Sequence, residues 1–167
     1  MDITGLIGQY AHGNEPSHHT TYMYAYSGEH YKIADKVRYI NNELYTDKPD
    51  GLSGNEDCGQ MSAWYILSSM GFYPVNPSNG AYVFGSPLFD EVVLDIPGQK
   101  QFKISAKNNS DKNIYIQSVS LNGEEHKYSY ITHKEILKGG ELEFTMGPKP
   151  NKDFGKEKKY RPKSIVY

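Results

Sequence analysis

Apolar side chains at Ile33, Val37, Ile40 and Leu44 return at a 4-3-4 spacing, with Lys36, Asn41 and Glu43 off that stripe. That period predicts an amphipathic helix over about residues 29–45. Met61, Trp64, Leu67 and Ser68 repeat the pattern, and Gly71 follows as a natural helix stop. Asp57 with Gln60 three positions later has the D-x-x-Q form of a capping box, so the start of this helix is expected at Asp57. A further helix is expected over Ser17–Tyr26, opened by Pro16 and ended by Gly28. Residues 1–15 show no clear period.

Beyond Tyr73-Pro74 the period changes from helical to alternating. Phe102, Ile104 and Ala106 alternate with Lys103, Ser105 and Lys107, as in a half-buried strand. Strands are expected near Ala81–Phe84, Val92–Ile96, Gln101–Ala106, Tyr115–Leu121, Ser129–Ile131 and Glu141–Met146, with Asn122-Gly123 as a hairpin turn. The pattern predicts an α+β chain. A helical portion over residues 1–75 is joined through the turn-rich Asn76–Gly80 to an antiparallel β region, a sheet or sandwich, over residues 76–167. The helices carry conspicuous tyrosines and make a poor closed bundle, which suggests the end of a larger helical assembly.

At 167 residues the chain can bury a real core. A net charge of −2 argues against nucleic acid or an anionic membrane surface as partner. The one basic run, Lys156 to Lys163, reads as a solvated tail. No apolar run reaches the roughly 20 residues of a membrane-spanning helix. Cys58 is the only cysteine, which excludes an intrachain disulfide and leaves a thiol nucleophile without a recognisable histidine signature. The 15 tyrosines suit wet clefts and half-buried strands alike.

Candidate chemistry gathers in two polar loops that each run into a helix: His12-Gly13-Asn14-Glu15-Pro16-Ser17-His18-His19 and Gly54-Asn55-Glu56-Asp57-Cys58-Gly59-Gln60. If the two loops lie on one rim they face each other across a cleft. Their amide and carboxylate oxygens are the ligands hard cations prefer. Calcium takes roughly six to eight oxygens, so Asn14, Glu15 and Asp57 with waters would form an incomplete shell. Zinc competes through His12, His18 and His19, although adjacent histidines diverge on a helix and no H-x-x-x-H pair is present. Ordinary capping and packing roles for these residues remain open.

The stretches GQYAHGNEPSHHTTYMYAYSG and GLSGNEDCGQMSAWYILSSMGFYPVNP, followed by YVFGSPLFDEVVL and GGELEFTMG, closely resemble the C-terminal part of family 92 glycoside hydrolases. The resemblance covers nearly the whole chain. It implies calcium-dependent, exo-acting removal of terminal alpha-linked mannose from glycans, with inversion, and a secreted or periplasmic location. In that family a β-sandwich packs on an (α/α)6 barrel, so the helices here would be the end of that barrel. Inversion needs an acid on the leaving-group side and a base activating water opposite, about 6.5–9.5 Å apart. By position, the resemblance implies Asp57 as general base, with Glu56 or Asn55 orienting water or metal. Asn14 and Glu15 match the calcium motif, and His12 lies where relatives contact the sugar beyond the scissile bond.

Two departures accompany the match. The family's sandwich, most of its barrel and the segment bearing its general acid have no counterpart in this chain, so the chain is expected to be inactive alone. His12-Gly13 stands where relatives preferring alpha-1,2 linkages tend to carry His-Glu, which leaves linkage preference open. The rival reading is a non-catalytic carbohydrate-binding or structural module over residues 76–167, with Phe84, Phe102, Tyr115, Tyr128, Tyr130 and Phe144 as a sugar platform.

Overall fold

The computed structural model of the chain describes residues 4–164. It opens with a short hairpin, β1 (Leu6–Ile7) against β2 (Tyr10–Ala11), whose two-residue strands are too brief to print a period on the sequence. The helix expected over Ser17–Tyr26 breaks into 3-10 turns at Glu15–Ser17 and Thr20–Tyr22, followed by α1 (Tyr24–Ser27). The reason is a competing donor. The Trp64 indole N–H donates to the His18 carbonyl at 3.2 Å, and the Tyr22 amide bonds one residue later in the chain, to His19. Gly28 ends α1 in the left-handed conformation, as expected.

Helix α2 (Lys32–Glu43) buries Ile33, Val37 and Ile40 on the predicted stripe, together with Arg38 and Asn41. Helix α3 (Gln60–Met70) buries Met61 and Trp64 completely and ends at left-handed Gly71. Its start differs from the capping-box expectation. Asp57, Cys58 and Gly59 all have positive φ (48°, 59° and 93°), and Gly59, which has no side chain to make a cap bond, takes the N-cap position. The chain's working capping box is Thr132 with Glu135, at the head of α4 (His133–Ile136).

Eight further strands follow: β3 (Phe72–Asn76), β4 (Ala81–Phe84), β5 (Glu91–Ile96), β6 (Lys100–Lys107), β7 (Tyr115–Leu121), β8 (Glu124–Glu125), β9 (Tyr130–Thr132) and β10 (Gly140–Gly147). Asn122-Gly123 makes the two-residue β7–β8 turn, with positive φ at both positions, the form such turns require. One sheet runs β5-β6-β10-β7-β8 and a smaller one β3-β4-β9. Every pairing is antiparallel except β10 on β6, because β10 returns from a long excursion and inserts between β6 and β7.

Residues Asn76–Gly80, read as the joint between halves, form the turn of the β3–β4 hairpin. That hairpin joins two cores by the alternation of strand side chains. Phe72 and Phe84 pair across it and face the sheet core with Phe102, Leu142 and Phe144. Tyr73 and Val83, the next pair, face the helical core with Tyr22, Ile33 and Trp64. Buried Arg38 adds a polar tie from α2 to the strand half. It donates to Ser86 Oγ at 3.0 Å and also to the Pro87 carbonyl and Asn109 Oδ1. The basic stretch near the C-terminus is docked rather than free. Ser129 N donates to the Tyr160 carbonyl at 2.9 Å, and the Arg161 guanidinium packs on Gly28.

Candidate active site

The two polar loops meet. Gly54, at φ 87°, lies so close to the first loop that a Cβ there would stand 2.8 Å from the Gly13 carbonyl oxygen. A Cβ on Gly13 would in turn stand 2.8 Å from the Ser53 carbonyl oxygen and 2.7 Å from Thr4 Oγ1. Backbone packs on backbone at this point, which only glycine permits.

Across that contact the Glu15 and Asp57 side chains come close enough for their carboxyls to influence each other's ionisation. Glu15 moves the Asp57 carboxyl above the ordinary carboxylate range, and Asp57 in turn holds Glu15 below it. None of the ion pairs among the described residues involves Glu15, Glu56 or Asp57. Asp57 is aimed by strained backbone: two non-glycine residues in succession, Asp57 and Cys58, occupy the left-handed region. Each costs of order 1–2 kcal/mol, the kind of strain that functional turns retain.

Glu56 points elsewhere. Its two carboxylate oxygens accept from Ser62 N at 3.1 Å and Ser62 Oγ at 2.8 Å, holding it against the first turn of α3. Ser62 also lines a groove of about 500 Å³ with Tyr45, Leu52 and Tyr65. Asn14 and Asn55 are exposed, and Asn14 makes no side-chain cap for the turn it precedes. Cys58 is exposed and lies before α3.

His12 is fully buried, so the sugar-contacting role carried over for it has no exposed atom to act through. Its Nδ1 meets Tyr10 Oη at 2.7 Å and its Nε2 meets Tyr45 Oη at 2.6 Å. The ring stacks on His18 at 4.7 Å and meets Trp64 edge-on at 4.5 Å. Burial, with His18 beside it, pushes His12 down to about 3, a neutral imidazole at any ordinary pH. Both nitrogens of His18 are likewise engaged, by the His12 carbonyl and by Gln60. Among the described residues no three His, Cys, Asp or Glu side chains cluster around a metal-sized space. The oxygens that remain, on Glu15, Asp57 and exposed Asn14, are all hard donors, part of a shell that calcium would accept and zinc would not favour. The buried histidines carried no signal in the sequence beyond their identity, because Tyr45 on His12 and Gln60 on His18 come from other segments.

The platform proposed for the strand half is largely core. Phe84, Phe102 and Phe144 are fully buried, and Tyr115 Oη donates to Asp35 at 2.7 Å. Tyr128 is exposed.

The sequence model of the glycosyl hydrolase family 92 catalytic domain matches residues 1–148. The chain belongs to glycoside hydrolase family 92. A family 92 alpha-mannosidase from Bacteroides thetaiotaomicron, solved in complex with mannoimidazole, superposes with a TM-score of 0.94 at 43% identity, over 98% of this chain and 22% of that one. A family 92 inverting mannosidase from the same organism superposes at 0.87 with 44% identity, over 93% of this chain and 21% of its own. An uncharacterized secreted glycosidase of Arthroderma benhamiae is 33% identical over 138 residues, 81% of this chain and 18% of that protein. This family 92 chain therefore spans about a fifth of the length of the relatives it matches. The same family match runs across α1 to α4 and all ten described strands. No helix among the described residues is long and apolar enough to cross a membrane.

Proposed function

We propose that this chain is the C-terminal part of a secreted or periplasmic mannosidase that removes terminal alpha-linked mannose from glycans with inversion. The observation carrying this reading is the contact of the two family-matching loops at Gly13 and Gly54, which brings Glu15 and Asp57 to one place. Asp57 is the general base. Its raised affinity for a proton suits it to accept one from a water attacking the anomeric carbon. Asn55, exposed two residues away, orients the water and the sugar, and Glu56, held by Ser62, braces the turn that carries Asp57. His12, buried among Tyr10, Tyr45 and Trp64, supports the loop that carries Glu15.

Asn14, Glu15 and Asp57 would hold calcium. Two carboxyls pressed together with no cationic side chain are a donor set that a divalent ion satisfies. The ion supplies positive charge to this acidic pair and coordination positions for sugar hydroxyls. Neither large groove beside the loops is lined by Glu15 or Asp57, and the pair stands on an open face. An open face cannot exclude water or hold a leaving group, so the chain alone is inactive and the remaining wall, with the general acid, comes from the preceding part of a longer polypeptide.

The test is a segment exchange: this chain replaces the matching segment of the 43%-identical mannosidase. The hybrid is expected to hydrolyse an aryl alpha-mannoside and to release the inverted anomer first, read by NMR. Asp57→Ala in the hybrid is expected to lower turnover by on the order of 10²–10⁴-fold. Parental rates in that variant would remove Asp57 from the base role.

A further inference from the structure

Three segments far apart in the chain meet on the His12 ring, and the chemistry of their partners dictates where each proton lies. The Met61 backbone carbonyl can only accept, so the Tyr45 hydroxyl donates to it, at 3.0 Å. The Tyr45 oxygen is then an acceptor for His12 Nε2 at 2.6 Å, which places the imidazole proton on Nε2. Nδ1 is left bare and receives the Tyr10 hydroxyl at 2.7 Å. The result is a directed chain, Tyr10 to His12 to Tyr45 to Met61, running from the β1–β2 hairpin through the end of α2 to the first turn of α3.

His18 repeats the arrangement one layer away. It donates from Nε2 to the His12 carbonyl at 2.9 Å and accepts on Nδ1 from Gln60, the first residue of α3, at 3.3 Å. The His18 carbonyl accepts the Trp64 indole N–H. His12 lies three residues before Glu15 in the same loop, and Met61 lies four residues after Asp57. The turn carrying Asp57 closes on its own weak bonds, Gln60 N to the Asp57 carbonyl and Met61 N to the Glu56 carbonyl, both 3.3 Å. Bonds of that length leave the turn dependent on outside support.

We propose that the Tyr10–His12–Tyr45 chain is a positioning latch that holds the Asn14–Glu15 turn against the head of α3. It thereby sets the Glu15–Asp57 contact and the affinity of that pair for a divalent cation. The affinity clause rests on the calcium reading above; the ordering of the turn does not. His12, Tyr10 and Tyr45 are positioning residues, acting through the two carboxyls without touching substrate.

Tyr45→Phe tests it, because the ring keeps its packing on Trp64 and Tyr65 while the hydroxyl is lost. Ring-nitrogen NMR of the unaltered chain is expected to show His12 neutral and protonated on Nε2, and that single tautomer to be lost in the variant. Amide exchange at Gln60 and Met61 is expected to accelerate about five- to ten-fold, the effect of one net hydrogen bond. Calcium affinity by calorimetry is expected to fall by a similar factor. Tyr65→Phe, which removes a hydroxyl outside the chain, should change none of these. Should Tyr45→Phe fail to fold, Tyr10→Phe breaks the same chain at its other end; the Nε2 tautomer is then kept, because Tyr45 still accepts, and the expectations for exchange and calcium affinity are the same. A proton on Nδ1, or unaltered exchange at Gln60 and Met61 in the variant, overturns the latch. Exchange and tautomer as expected in a chain that binds no calcium uphold the latch on the turn and overturn the cation reading alone.

Discussion

Glu15 and Asp57, far apart along the chain, are brought side by side where the Gly13 and Gly54 backbones touch. Among the described residues neither carboxyl takes part in an ion pair, and each is near the start of a helical segment. The two carboxyls act on each other instead, Asp57 moved up and Glu15 down.

Removing one member should release the other. Glu15→Gln is expected to bring the Asp57 carboxyl down toward the ordinary aspartate range, followed by carbon-detected NMR titration. Added calcium should do the same in the unaltered chain, because a cation favours both carboxylates ionised. An Asp57 titration unmoved by either change would mean that Glu15 is not its partner.

Gly13 makes the loop contact possible. Gly13→Glu introduces a Cβ that meets the Ser53 carbonyl and Thr4 Oγ1 at distances real side chains do not adopt. The variant is expected to push the Gly54 loop away, costing about 1–3 kcal/mol by thermal or urea unfolding. It should also weaken calcium binding. Gly13→Ala, with the same Cβ and no charge, should behave alike, which separates the steric cause from an electrostatic one.

Arg38 joins the helical half to the strand half through three acceptors, those of Ser86 and Pro87 buried and that of Asn109 half-buried. Arg38→Ala leaves Ser86 and Asn109 without this partner and is expected to destabilise the chain by about 3 kcal/mol in urea unfolding. A loss near zero would show that the two halves are held by the shared β3–β4 core alone.

Stability should fall as the medium becomes mildly acidic. His30 is buried, donates from Nε2 to the Phe84 carbonyl at 2.9 Å, and is pushed down by burial to about 4. A histidine whose folded pKa lies below its unfolded one leaves stability intact above the unfolded value, near 6.5, and erodes it as pH falls from there toward the folded value. Between pH 7.5 and 5 this one group is expected to remove about 2 kcal/mol. His12, lowered further, acts in the same direction. Urea midpoints across that interval check it, and His30→Met should flatten part of the slope.

The sequence by itself determined the local elements. Helical stripes in α2 and α3, left-handed glycines at Gly28 and Gly71, the Asn122-Gly123 hairpin and most strand positions all follow from periods and turn chemistry a few residues long. It also marked the two acidic loops, because their composition and their long family-matching runs are visible without a fold. Tertiary structure alone decided how those pieces met. The insertion of β10 beside β6, the burial of His12 against Tyr45 and Trp64, and the break of the first helix by the Trp64 indole each depend on partners distant in the chain. The same holds for Asp57, whose D-x-x-Q spacing suggests a cap. In the folded chain Glu15 takes its side chain and left-handed backbone at residues 57–59 turns it away from the helix. A local pattern can state which hydrogen bonds are available to a carboxyl, and only the arrival of a competing group in space settles which one forms.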